Sequence, residues 1–182
     1  APRPAPRPAP KPVTRPQPAA PVFFTSPLGP DEMRGMQAVV ETSEGTLVMD
    51  PLPDAAPVHV AHFMVRARED AYNGTVFHRV IPMGIIQGGD PLSTDPAQKA
   101  RYGTGGLKVL RFEPNAEKHT AGAVSAVLVP GDRDSAGSQF FICVSDQAAL
   151  DGQYTVFARV AEGIVAAQTI SRAPADAAGV VA

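Results

Sequence analysis

The stretch Phe77-His78-Arg79-Val80-Ile81-Pro82-Met83-Gly84-Ile85-Ile86-Gln87-Gly88-Gly89-Asp90-Pro91 decides how this chain is read. It contains two short apolar runs that carry one long cation, Arg79, and one amide, Gln87. Successive side chains of a β-strand alternate between faces, so Phe77, Arg79 and Ile81 are expected on one side of their strand. Ile85 and Gln87 share a side of the next. A long donor and an amide on neighbouring strands then converge above an apolar floor. Gly88-Gly89 has no Lys-Ser/Thr and no helix behind it, so a phosphate-loop reading fails.

Working outward, Asn73-Gly74 is a turn signal before a strand expected over Thr75–Ile81. Upstream, Ala38–Thr42 and Thr46–Met49 flank Ser43-Glu44-Gly45 as the arms of a hairpin. Pro57 opens a segment in which Val58, Ala61, His62 and Val65 recur at helical spacing through Arg68. Downstream strands are expected at Ile85–Gln87, Leu107–Phe112, Ala123–Val129, Gln139–Val144 and Thr155–Val160, with a second helix over Gly163–Ser171. Many short strands with one helix near each end predict a mainly β fold, a closed antiparallel barrel capped by two helices.

The chain divides by composition. Of its 20 prolines, eleven fall within residues 1–30, so the excess belongs to an N-terminal tail. Ala-Pro-Arg-Pro repeats cannot pack a core, because proline fixes φ and lacks an amide donor. The tail is expected to be disordered, sampling polyproline II as a solvated spacer. It carries Arg3, Arg7, Lys11 and Arg15 and no acid, which leaves 12 basic against 18 acidic residues in the domain expected over 31–182. An acidic globular part argues against nucleic-acid binding, which wants a basic face. Cys143 is the only cysteine, so an internal disulfide is excluded. No apolar run reaches the roughly 18 residues of a membrane span. Ala1 opens the chain as signal-peptide removal would. A periplasmic or otherwise exported protein is expected, with the cytoplasm as the alternative.

Two further segments place polar groups in apolar surroundings: Gly137-Ser138-Gln139-Phe140-Phe141-Ile142-Cys143 and Leu150-Asp151-Gly152-Gln153-Tyr154-Thr155-Val156-Phe157. Phe141 is the natural floor of an apolar pocket with a few convergent polar groups. Other candidates read as ordinary. His59 and His62 lack a metal-binding motif, so no metal is expected. His119 is expected to be solvated in a polar loop. Cys143 reads as a small buried hydrophobe, and Ser125 and Ser138 lack the setting of an activated serine.

The stretch Phe77–Pro91 resembles the signature of the cyclophilins, Phe-His-Arg-Val-Ile followed by Gln-Gly-Gly-Asp-Pro. The resemblance continues, in order, through Gly103-Thr104-Gly105-Gly106, Gly122–Ser125, Ser138–Ile142 and Leu150-Asp151-Gly152, and covers residues 37–172. It implies an eight-stranded antiparallel barrel with a helix at each end, and peptidyl-prolyl cis/trans isomerase activity in aid of protein folding. It also implies Arg79 as the catalytic arginine with Gln87 beside it. Ile85, Phe141, Leu150 and Tyr154 fall on substrate-binding positions, and Gly103 and Thr104 on a loop bordering the neighbouring subsite. Phe77, placed on the Arg79 face by alternation, and Gln139 are counted with them as substrate-binding candidates. No nucleophile, metal or cofactor is called for. The implied partners are proline-containing polypeptides, met by a monomer. The alternative is a proline-peptide-binding module or chaperone with little turnover.

The sequence departs from the family's pattern in three places. Gly84 stands where well-studied members carry a pocket phenylalanine, which puts turnover rather than fold in question. Ala149 stands where many carry a tryptophan that contacts cyclosporin, so weak cyclosporin binding is expected. Gly179–Ala182 is too short for the strand that closes the barrel, as in a truncated chain.

Overall fold

The computed structural model describes residues 20–181; the spacer expected of the tail lies outside the described residues through position 19. The tail's last part is in contact with the domain. Phe24 N donates to Val109 O at 2.8 Å, and Phe24 and Leu28 pack against the core. The Arg111 guanidinium sits 4.6 Å above the Phe23 ring.

Among the described residues three α-helices, α1 (Pro30–Met33), α2 (Pro57–Arg68) and α3 (Ile164–Ile170), accompany seven strands. These are β1 (Ala38–Thr42), β2 (Gly45–Pro51), β3 (Arg79–Ile81), β4 (Ile85–Gly88), β5 (Ala123–Ala126), β6 (Phe140–Cys143) and β7 (Val156–Glu162). They form one antiparallel sheet in the order β1-β2-β7-β5-β6-β4-β3. The mainly β expectation holds, with seven strands in place of eight and, among the described residues, no strand joining β1 to β3. In place of a paired strand, the C-terminal segment meets the edge of β3 through the isolated bridge Arg79–Val180.

Two expected strands come out differently. Leu107–Phe112 is not a strand: Lys108 takes a left-handed φ of 66°, and only Leu110 bridges, to Ala136. Thr75–Ile81 becomes extended sheet only from Arg79, because the amide of Val76 goes to the Ser93 hydroxyl at 3.0 Å instead of a partner strand.

Alternation along the strands separates two faces. The rung Val80–Ile86–Ile142–Val124–Ala158 crosses five strands, and every member is buried in the main core. α2 covers that core with Val60, Ala61, Phe63 and Met64. Its N-terminus is held by Glu113, whose Oε1 accepts from Val58 N at 3.0 Å and Oε2 from His59 N at 2.8 Å. A carboxylate there satisfies amides that lack helical partners and complements the helix dipole. Burial opposes the charge on Glu113, but the His59 ring and these two amides hold its carboxyl below the ordinary value. Between β1 and the segment before β3 a cleft of about 1550 Å³ opens onto Phe63, Met64 and Phe140.

Candidate active site

The rung next to the core rung is the functional one. Arg79 of β3 pairs with Gln87 of β4, Gln87 with Phe141 of β6, and Phe141 with Ser125 of β5. Residues directly opposite in antiparallel strands share a face, so all four project to the side away from the main core. The local reason is the hairpin at Ile81–Gly84, closed by Gly84 N donating to Ile81 O at 2.8 Å. It fixes the register that puts Arg79 across from Gln87.

Polar groups form a chain along this face. Arg79 Nη1 lies 3.5 Å from Gln87 Oε1, Gln87 Nε2 donates to Gln139 Oε1 at 3.1 Å, and Gln139 Nε2 donates to Gly105 O at 2.7 Å. The loop that ends the chain is organised by buried Asp90, whose Oδ2 accepts from Gly103 N at 2.5 Å. Thr104 is exposed, its hydroxyl donating to Arg101 O at 2.7 Å.

Beside the polar chain lies a second apolar cluster of Ala123, Phe141, Cys143 and Val156, with Ile85, Leu150 and Tyr154 packed against it. Phe141 meets Tyr154 edge-on, centroids 5.3 Å apart. Four expected pocket residues, Ile85, Phe141, Leu150 and Tyr154, are therefore gathered from β4, β6 and the segment before β7. Cys143 is buried here, which pushes its thiol up to about 12 and makes it inert.

Phe77 is elsewhere. It packs against the main core, edge-on to Phe140 at 6.2 Å. The expectation rested on strand alternation reaching back to Phe77, but β3 begins at Arg79. Met83 does not fill the space beside Gly84: it is 49% exposed at a left-handed φ of 55°, with its sulfur near Arg172. His119, expected to be solvated, is 1% exposed, because its ring packs beside Phe141 with Ser125 and Asp151 as partners. The one sign of this in the sequence is the aspartate directly after Leu150.

A family model described as cyclophilin type peptidyl-prolyl cis-trans isomerase/CLD matches residues 37–181. The chain belongs to the cyclophilin family. It is 38% identical over 133 residues to a peptidyl-prolyl cis-trans isomerase of Helicobacter pylori, covering 70% of this chain and 75% of that protein. It is 36% identical over 135 residues to the human peptidyl-prolyl cis-trans isomerase-like 1, covering 74% of this chain and 79% of that one. A cyclophilin-type isomerase from Cryptosporidium parvum, solved in the presence of the dipeptide Ala-Pro, superposes with a TM-score of 0.71 at 26% identity. That match covers 80% of this cyclophilin and 91% of the other chain. The fold of this cyclophilin thus superposes on that of a solved peptidyl-prolyl isomerase.

Proposed function

We propose that this cyclophilin accelerates rotation about X-Pro peptide bonds by donating a hydrogen bond from Arg79 to the prolyl nitrogen. The observation that carries the reading is the single rung of Arg79, Gln87 and Phe141, a cation beside an apolar floor. Resonance gives an ordinary peptide bond a rotation barrier of about 18–20 kcal/mol. A catalyst must bind the twisted bond better than either planar isomer. Twisting removes conjugation, so the prolyl nitrogen becomes a better acceptor at the moment of rotation. A guanidinium suits this role because it stays charged and offers a rigid fork of donors. Phe141, Leu150, Ile85 and Tyr154 hold the proline ring, Gln87 steadies the fork, and Gln139 ties both to the Gly103–Gly105 loop. Proline-containing polypeptides, met by a monomer, are the proposed substrates.

The test is exchange NMR on an Ala-Pro test peptide with the intact chain and Arg79→Ala. Acceleration that vanishes in the variant is the expected result. No acceleration by a folded chain overturns the enzyme reading. Gly84 favours a second reading, a proline-peptide-binding module, since it leaves one side of the pocket without a side chain. That reading expects peptide binding with no rate for Arg79→Ala to remove.

A further inference from the structure

Arg79 is gripped from a direction that none of the sequence motifs contains. Its Nε donates to the carbonyl of Ala178 at 3.0 Å, 99 residues further along the chain. The same turn holds β3 through the backbone, with Val80 N donating to Gly179 O at 2.7 Å and Val181 N to His78 O at 3.1 Å.

The turn is built by Asp176. Its Oδ1 accepts from the amides of Ala178 at 2.8 Å and Val180 at 2.9 Å, the arrangement by which an aspartate substitutes for a backbone turn. Gly179 makes the close approach: at φ +80°, a Cβ on it would lie 2.3 Å from Val80 O. Only glycine combines that conformation with that proximity.

The consequence falls on the guanidinium. Its five donors lie in one plane, so holding Nε on the Ala178 carbonyl constrains where the Nη groups point. Gln87 cannot do this alone, because its contact with Nη1 is 3.5 Å long, at the limit of a hydrogen bond. We infer that the Asp176–Gly179 turn is the positioning element for the catalytic arginine, with Asp176 shaping the turn, Gly179 seating it on β3, and the Ala178 carbonyl aiming Nη1 and Nη2 at the peptide. The inference rests on the isomerase reading above. It makes Asp176 and Gly179 positioning residues that never touch substrate.

The test uses the whole chain and the variants Asp176→Ala, Asp176→Asn and Gly179→Ala. Two quantities are read: kcat and KM for an Ala-Pro peptide by exchange NMR, and solvent exchange of the Arg79 Nε–H. In the intact chain the Nε–H is expected to exchange slowly. In Asp176→Ala it is freed and kcat falls about tenfold, about 1.4 kcal/mol of barrier, with KM changed by less than about twofold. Asp176→Asn keeps an acceptor oxygen and restores both readouts, whereas Gly179→Ala, which lifts the turn off Val80, repeats the loss. Unchanged kcat in a folded variant with a freed Nε–H overturns the inference. So does an Nε–H in the intact chain that exchanges as fast as that of free arginine. A protected Nε–H in an intact chain without turnover sinks the isomerase reading instead, and the two failures are thereby told apart.

Discussion

The His119 imidazole lies parallel to the Phe141 ring, with centroids 6.0 Å and planes 15° apart. Both of its nitrogens are committed, Nε2 at 2.9 Å from Ser125 Oγ and Nδ1 at 3.1 Å from Asp151 Oδ1. The amide of His119 is the main reason the Asp151 carboxyl is held below its usual range; the His119 ring and Lys118 add to this against the cost of burial. Serine, histidine and aspartate in this order have the layout of a hydrolytic triad. Ser125 is 0% exposed, so substrate does not reach its hydroxyl, and the trio braces the pocket floor instead.

Replacing His119 by alanine strands the buried Ser125 hydroxyl and opens a cavity beside Phe141. Unfolding free energy is expected to drop by about 2–4 kcal/mol, read from urea titrations of the intact chain and the variant. A loss below about 0.5 kcal/mol, the range of ordinary surface changes, would mean the trio braces nothing.

Restoring an aromatic at position 84 is expected to fail. A Cβ on Gly84 would lie 2.9 Å from Ile81 Cγ2 and 3.2 Å from its Cβ, so Gly84→Phe must distort the β3–β4 hairpin. The expected result is destabilisation by about 1–3 kcal/mol and no gain in turnover, measured by thermal unfolding and exchange NMR. A stable, faster variant would show that the hairpin yields and that the pocket lacked only this wall.

His62 sets a pH dependence. Burial, helped by the nearby Arg66 and His59, lowers its pKa from 6.5 to about 4. The unfolded chain therefore binds the proton more readily, and stability must fall as pH drops below the unfolded value toward the folded one. From pH 6.5 to 4.5 this one group removes about 2 kcal/mol. His62→Gln is expected to flatten the stability profile over that window relative to the intact chain, and parallel profiles would count against it.

Ala149 is exposed on the short turn Ala148–Leu150, next to a pocket wall. Cyclosporin is expected to inhibit weakly, and Ala149→Trp to tighten inhibition by about tenfold or more, as a buried aromatic anchor does. Nanomolar inhibition of the intact chain would refute the expectation.

Most of the sheet was legible because short alternating runs bounded by turn residues have few other ways to fold. The Arg79–Gln87 pairing was legible for the same reason, since Pro82-Met83-Gly84 leaves room only for a tight hairpin. Phe77 and Leu107–Phe112 misled because strand propensity does not reveal whether a partner edge exists: Phe77 precedes the start of β3, and Leu107–Phe112 finds only an isolated bridge from Leu110 to Ala136. His119 was hidden because its polar neighbours Lys118 and Thr120 suggest solvent, while its partners stand 6 and 32 residues away. The Asp176–Gly179 turn was hidden too: it leads into Gly179–Ala182, which reads as the stub of a strand, and its role appears only when Ala178 meets Arg79.

The cleft beside β1 opens into the main core, whereas Arg79 and Phe141 stand on the opposite side of the sheet. Among the described residues β1 pairs with β2 alone, so this doorway is not barred by a neighbouring strand. Phe63, Met64 and Phe140 therefore border an opening that reaches the interior without crossing the rung of Arg79, Gln87 and Phe141.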